Sequence, residues 1–164
     1  MKNIVLIGMM GCGKTTCGRL ISERLGRELV DTDALIAERE GRSIPELFAS
    51  RGEDYFRALE EAVSQELSAR QDLIIACGGG LPLRPAAIAP LRETGTVFFL
   101  ARDPGETYDS ESMEGRPLAQ DGREAFLARF RQREPVYRAC AHHIVTEFAD
   151  PSLTAQSILE VLKA

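Results

Sequence analysis

A chain of 164 residues with 44% apolar and 27% charged side chains has the length and make-up of one globular domain, which excludes disordered and fibrous classes. Twenty Lys and Arg against 25 Asp and Glu give a net charge of −5, and no basic run offers a footprint for nucleic acid. The longest apolar runs, such as Leu73 to Cys77 and Val97 to Ala101, are strand-sized, far below the roughly 20 residues of a membrane span.

The first predicted strand is Asn3 to Ile7. Its apolar run is too short for the core of a secretory signal, and Gly8, Gly11, Gly13 and Lys14 break up the segment beyond it. A helix is predicted from Lys14 to Leu25, stopped by Gly26, then a strand from Glu28 to Val30 and helices from Asp33 to Glu40, Ile44 to Ala49 and Glu53 to Arg70. A third strand follows at Leu73 to Cys77, a helix at Pro85 to Glu93 stopped by Gly95, and a fourth strand at Thr96 to Leu100. The stretch from Asp103 to Gly122 has no sustained apolar period and is broken by glycines and prolines; it reads as a surface loop or, given its place after a strand, an active-site lid. A helix from Arg123 to Arg133 ending before Pro135, a strand at His142 to Val145 and a helix from Leu153 to Lys163 complete the chain. Strand and helix in alternation imply a parallel sheet with helices on both faces, an α/β fold in one domain over residues 1–164.

Cys12, Cys17, Cys77 and Cys140 lack paired metal spacing, and the His142-His143 pair has no obvious third ligand nearby. A reducing cytoplasm is the expected setting.

The strongest chemical signal is Gly8-Met9-Met10-Gly11-Cys12-Gly13-Lys14-Thr15, which fits G-x-x-x-x-G-K-[ST] between a strand and a helix. In such a loop backbone N–H groups converge on phosphate oxygens, the lysine reaches the β and γ phosphates, and the hydroxyl ligates Mg²⁺. Gly11, Cys12, Gly13, Lys14, Thr15 and Thr16 are therefore the residues expected to bind a nucleoside triphosphate with its Mg²⁺. Asp31-Thr32-Asp33 follows the second strand; extended residues two apart project to one side, so one of Asp31 and Asp33 could assist Mg²⁺ and the other accept a proton. Asp33 also suits the N-cap of a helix starting at Ala34.

Three arginines, Arg57, Arg116 and Arg133, each have an ordinary explanation as solvated or dipole-complementing side chains. Gly78-Gly79-Gly80, at the end of a central strand, would let a substrate approach the backbone or would simply be a loose turn.

Taken together, the P-loop, Asp31-Thr32-Asp33, Gly52-Glu53 leading to Phe56-Arg57 and Glu60, the triple glycine, Arg116-Pro117-Leu118 and Arg133 through Tyr137 resemble shikimate kinase in order and spacing, from Met1 to about Val161. The resemblance implies a three-layer, nucleoside-monophosphate-kinase-like P-loop fold with a five-stranded parallel sheet and a lid at about 103–122. It implies MgATP-dependent phosphorylation of the 3-hydroxyl of shikimate, in aromatic amino-acid synthesis. By the same resemblance Asp33 contacts the acceptor hydroxyls as base, Arg57 and Arg133 grip the shikimate carboxylate, Gly79 and Gly80 line the pocket, and Arg116 closes over the transferring phosphoryl group. A monomer with no nucleic-acid or membrane partner is expected. One departure stands out: Asp103, Glu106, Asp109, Glu111 and Glu114 are acidic, and Asp109 takes the place where the family often has an arginine stacking on adenine. Repulsion of the nucleotide is the expected consequence. Two rival readings are a P-loop kinase of another small hydroxy acid such as gluconate, and a nucleotide-binding regulatory module with degenerate kinase activity.

Overall fold

The computed structural model of the protein describes residues 2–113 and 122–163. Five parallel strands form its central sheet: β1 (Asn3–Ile7), β2 (Glu28–Asp31), β3 (Leu73–Ala76), β4 (Gly95–Leu100) and β5 (His143–Val145), in the order β2-β3-β1-β4-β5. The fold expected from strand and helix alternation is the one observed. β1 pairs with β3 on one side, Val5 opposite Ile75, and with β4 on the other, Val5 opposite Val97. The chain thus reverses its winding around β1, and the carboxyl ends of β1, β3 and β4 open a crevice where α/β sheets bind ligands.

Alternation along β1 divides the core. Ile4 and Leu6 pack with Ile21 of α1 (Lys14–Leu25) and Ile158 of α8 (Pro151–Lys163). Val5 and Ile7 face the opposite layer, built from α4 (Glu53–Ser68), α5 (Pro85–Thr94) and α7 (Arg123–Cys140), with Phe56, Leu91 and Tyr137 buried. Both faces of the sheet are covered at its centre, which is why β1, β3 and β4 read as largely apolar, buried runs while the edge strands β2 and β5 do not. α2 (Thr32–Glu40) and α3 (Ile44–Arg51) precede α4, and a single 3₁₀ turn at Leu81–Leu83 leads into α5.

Several boundaries differ from the sequence expectation for identifiable reasons. α2 is capped by Asp31, whose Oδ1 accepts the Ala34 N–H at 3.0 Å, so Asp33 lies inside the first turn rather than at the cap. α4 stops at Ser68 because Asn3 takes over: its Nδ2 donates to the Arg70 carbonyl at 3.0 Å and its Oδ1 accepts the Leu73 N–H at 2.9 Å. Gly95 is the first residue of β4 in extended backbone, and a Cβ there would meet the Asn3 carbonyl oxygen at 2.9 Å.

α7 continues through Pro135. An interior proline costs about 3 kcal/mol, but Tyr137 beyond it and Phe126 before it are fully buried, and side chains of that size each recover about 1.5–3 kcal/mol. The stretch after β4 begins as a helix, α6 (Pro104–Met113), not as a loop; the Asp103 carboxylate receives the Glu106 N–H and the Thr107 hydroxyl bonds the Asp103 carbonyl. The remainder of the expected lid, with Arg116, Pro117 and Leu118, lies outside the described residues. His142 serves the sheet edge: its Nδ1 accepts the Val97 N–H at 2.9 Å. Among the described residues no helix is long and apolar enough to cross a membrane.

Candidate active site

The loop joining β1 to α1 turns back on itself through glycines at positive φ, with Gly13 at 102° immediately before the helix. A β-carbon is disfavoured there, whereas glycine adopts it freely. Lys14 folds over the loop it follows, its Nζ donating to the Gly8 and Met9 carbonyls at 2.7 and 2.8 Å. This holds the ammonium above the mouth of the loop. Cys12 behaves differently from its neighbours: its side chain is buried, and its N–H donates to the Met9 carbonyl at 3.2 Å inside the loop.

A cavity of about 240 Å³ opens beside the loop, lined by Gly11, Gly13, Lys14, Thr15, Thr16, Asp31, Asp33 and Gly79, among others. These are predicted site residues from three separate segments, brought to the carboxyl ends of β1, β2 and β3. Asp31 ends β2 and Asp33 lies in the first turn of α2, so the pair is not extended as the sequence suggested, yet both carboxylates border the same space. Thr15 Oγ1 donates to Asp31 Oδ2 at 3.0 Å, leaving the other Asp31 oxygen to cap α2.

Each glycine of the triplet faces one of the remaining predicted groups. A Cβ at Gly78 would overlap the Asp33 carboxylate, one at Gly79 would reach Arg133 Nη1 at 3.2 Å, and one at Gly80 would come within 2.6 Å of Arg57 Nη2. The triplet is therefore a bare backbone shelf against which a carboxylate and two guanidinium groups are set. It is held at its first residue by the Thr32 hydroxyl, which accepts the Gly78 N–H at 2.9 Å, and at its middle by the Tyr137 hydroxyl, which donates to the Gly79 carbonyl at 2.6 Å. Burial pushes the Tyr137 phenol up to about 12, against the pull of nearby Arg133, so it remains a donor.

Arg57 is fixed on α4 by Glu60 at 2.5 Å and by Glu53 at 3.6 Å. Glu60 is fully buried, and its Oε2 has no partner among the described residues. Burial raises its carboxyl above the usual range, opposed by Arg57. Asp33 is likewise raised, first by burial and then by Asp31, with Lys14 and Arg57 pulling it down, and its Oδ1 is shut off from solvent with no hydrogen-bond partner among the described residues. A carboxylate in such surroundings is a candidate proton acceptor.

Asp109, in the acidic stretch, pairs with Arg123 of α7 at 3.0 Å, so part of the expected negative field is neutralised locally. Two residues at the site escape a reading of the sequence: Thr32, whose only signal is its place between two aspartates, and Arg102, a lone arginine two residues past β4 that bonds the Gly11 carbonyl.

A three-layer α/β domain with a glycine-rich phosphate loop after its central strand, a lysine over that loop and a carboxylate opposite it is a P-loop kinase fold. The sequence profile described as shikimate kinase matches residues 10–163. A shikimate kinase from Moorella thermoacetica is 42% identical over 166 residues, covering 99% of this chain and 95% of that protein. One from Caldicellulosiruptor bescii is 37% identical, covering 98% and 95%. The solved structure of the Acinetobacter baumannii shikimate kinase in complex with shikimate superposes with a TM-score of 0.89 at 36% identity, covering 99% of this chain and 93% of that one. The chain belongs to the shikimate kinase family.

Proposed function

We propose that this protein transfers the γ-phosphoryl group of ATP to the 3-hydroxyl of shikimate, giving shikimate 3-phosphate and ADP. The observation that carries the reading is the setting of Asp33, Arg133 and Arg57 against Gly78, Gly79 and Gly80, beside the loop that Lys14 crosses. Two forked guanidinium groups suit a small planar carboxylate, since they give directed hydrogen bonds as well as charge. Held by that carboxylate, the acceptor presents a hydroxyl to Asp33. Its proton passes to the Asp33 carboxylate as the oxygen attacks the γ-phosphorus, and the bond to the β-phosphate oxygen breaks with its electron pair staying on ADP. Lys14 and the loop N–H groups face the charge that develops there, so positioning and electrostatics supply most of the acceleration. Arg116 is assigned to the same phosphoryl group on the family resemblance, and Thr16 to the nucleotide.

Thr15 and Asp31 present two hard oxygen donors 3.0 Å apart at the cavity, a set that fits Mg²⁺. When bound with ATP, the ion supplies positive charge across the phosphates. Among the described residues no group of three or more His, Cys, Asp or Glu could hold a metal, which suits an ion that takes its other ligands from phosphate and water.

We take the working unit to be a single domain over residues 1–164, a monomer in the reducing cytoplasm with ATP and shikimate as its partners. Its net charge of −5 and four free thiols support that setting. The deciding experiment is ADP release from MgATP with shikimate, quinate, gluconate and nucleoside monophosphates in turn. Release with shikimate alone is expected. Turnover with gluconate instead, or nucleotide binding without any acceptor-dependent release, overturns the assignment.

A further inference from the structure

A second cavity, of about 410 Å³, lies on the other side of the phosphate loop, and Arg102 is the one Lys or Arg among its described lining residues. The two cavities share Gly11, Gly13 and Thr16, so they meet at the loop itself. A ligand with its terminal phosphates on the loop must lead its remaining part away to one side. The first cavity is bounded by Asp33, Gly78 and Gly79, the groups that face the acceptor; the second is therefore the side open to the rest of the nucleotide. Phe148 and Pro151 give it apolar wall, and Arg102 gives it charge.

Arg102 is half-buried just after β4, with Nη1 donating to the Gly11 carbonyl at 3.3 Å. It has no carboxylate partner among the described residues. The adjacent acids are engaged elsewhere: Asp103 Oδ2 accepts the Glu106 N–H, and Asp109 is paired with Arg123. An arginine held against a phosphate loop by one nitrogen, with its remaining donors unclaimed by any described acid, is placed to meet a second anion.

We propose that Arg102 is a nucleotide-binding residue, its positive charge gripping the phosphate chain from the outer side of the loop. It supplies from the end of β4 the cation that the acidic α6 does not carry. The inference rests on the proposed ATP-dependent reaction and adds to it a specific source of nucleotide affinity.

The test is equilibrium binding of MgADP to the full chain and to two variants. Arg102→Gln keeps a donor for the Gly11 carbonyl and loses the charge; Arg102→Lys keeps the charge. MgADP binding is expected to weaken about tenfold in Arg102→Gln and to stay within about threefold of the parent in Arg102→Lys. The affinity of the parent should fall more steeply with salt than that of Arg102→Gln, and the KM for shikimate should hold in both. Parent-like MgADP binding by Arg102→Gln, or equal weakening in the two variants, overturns the proposal and reduces Arg102 to a strut of the loop. The role of Arg102 and the reaction fail separately: a parent that phosphorylates shikimate while Arg102→Gln binds MgADP normally refutes only the role of Arg102. A parent that binds MgADP through Arg102 but never turns over shikimate refutes only the reaction.

Discussion

The carboxylate of Asp33 rests against the α-carbon of Gly78 so closely that no β-carbon fits between them. The contact joins the first turn of α2 to the segment just past β3 and holds the Asp33 carboxylate at the edge of the cavity. Gly78→Ala should therefore lower kcat by about 10², the scale of losing a positioned base, with only a small change in Tm. Gly79→Ala makes the comparison, because its new methyl would meet a long, movable arginine and should mainly raise the KM for shikimate. Equal losses in the two variants would separate Asp33 from catalysis.

Asp33 also links catalysis to stability. Burial raises its folded-state pKa, so the folded protein holds this proton more tightly than the unfolded chain does. Ionising Asp33 then costs stability, a cost that grows as pH rises from the ordinary carboxylate value of about 4 through the raised one. Asp33→Asn should lose kcat by roughly 10²–10⁴ yet melt higher than the parent at neutral pH, with the gain shrinking as pH falls toward 4. A variant that is both inactive and less stable at pH 7 would contradict the buried-carboxylate account.

The sheet, the phosphate loop and the carboxylate pair are legible in the sequence because each rests on local rules: apolar runs between glycines, and a loop pattern with its strand and helix. Pro135 misplaces the end of α7 because propensity is local whereas the burial of Tyr137 is tertiary. α6 is hard to read because it has few apolar residues and its capping acid, Asp103, is indistinguishable in sequence from the rest of a charged run. Arg102 carries no motif at all; only the register of β4 beside β1 brings it to the loop.

For Arg57, the buried partner complicates any simple deletion. Arg57→Ala strands the fully buried Glu60, so it should lower Tm as well as raise the KM for shikimate. The double variant Arg57→Ala with Glu60→Gln removes the stranded charge and should recover Tm without recovering KM. Arg133→Ala should raise the same KM with a smaller thermal effect. An acceptor lacking the carboxylate should be poor for the parent and little worse for any of these variants; a further proportional loss would mean that the arginines act through the fold.

Lys14→Ala removes the cation held by the Gly8 and Met9 carbonyls, and water from the adjoining cavity can take the place of the ammonium on those two oxygens. Phosphoryl transfer should nearly vanish while far-UV circular dichroism and Tm stay near the parent. Near-normal turnover in a folded Lys14→Ala protein would refute the phosphate-loop assignment.

The acidic stretch after β4 invites a charge-reversal test at Asp109, where the family often has an arginine. In this protein Asp109 is turned toward Arg123 on the neighbouring helix, and both side chains are exposed. Asp109→Arg would put two guanidinium groups where an ion pair stood, so α6 should dock less firmly on α7. Exposed pairs are worth at most about 1 kcal/mol, which in a domain of this size moves Tm by about 2–4 °C. The KM for ATP should change less than twofold, because the pair joins α6 to α7 and because the nucleotide-side charge comes from Arg102. Reversing both partners, Asp109→Arg with Arg123→Asp, should restore Tm, and the difference between single and double variants should fade at high salt. A large fall in the KM for ATP in the single variant would instead mean that residue 109 faces the nucleotide, and would move the expected adenine contact back onto α6.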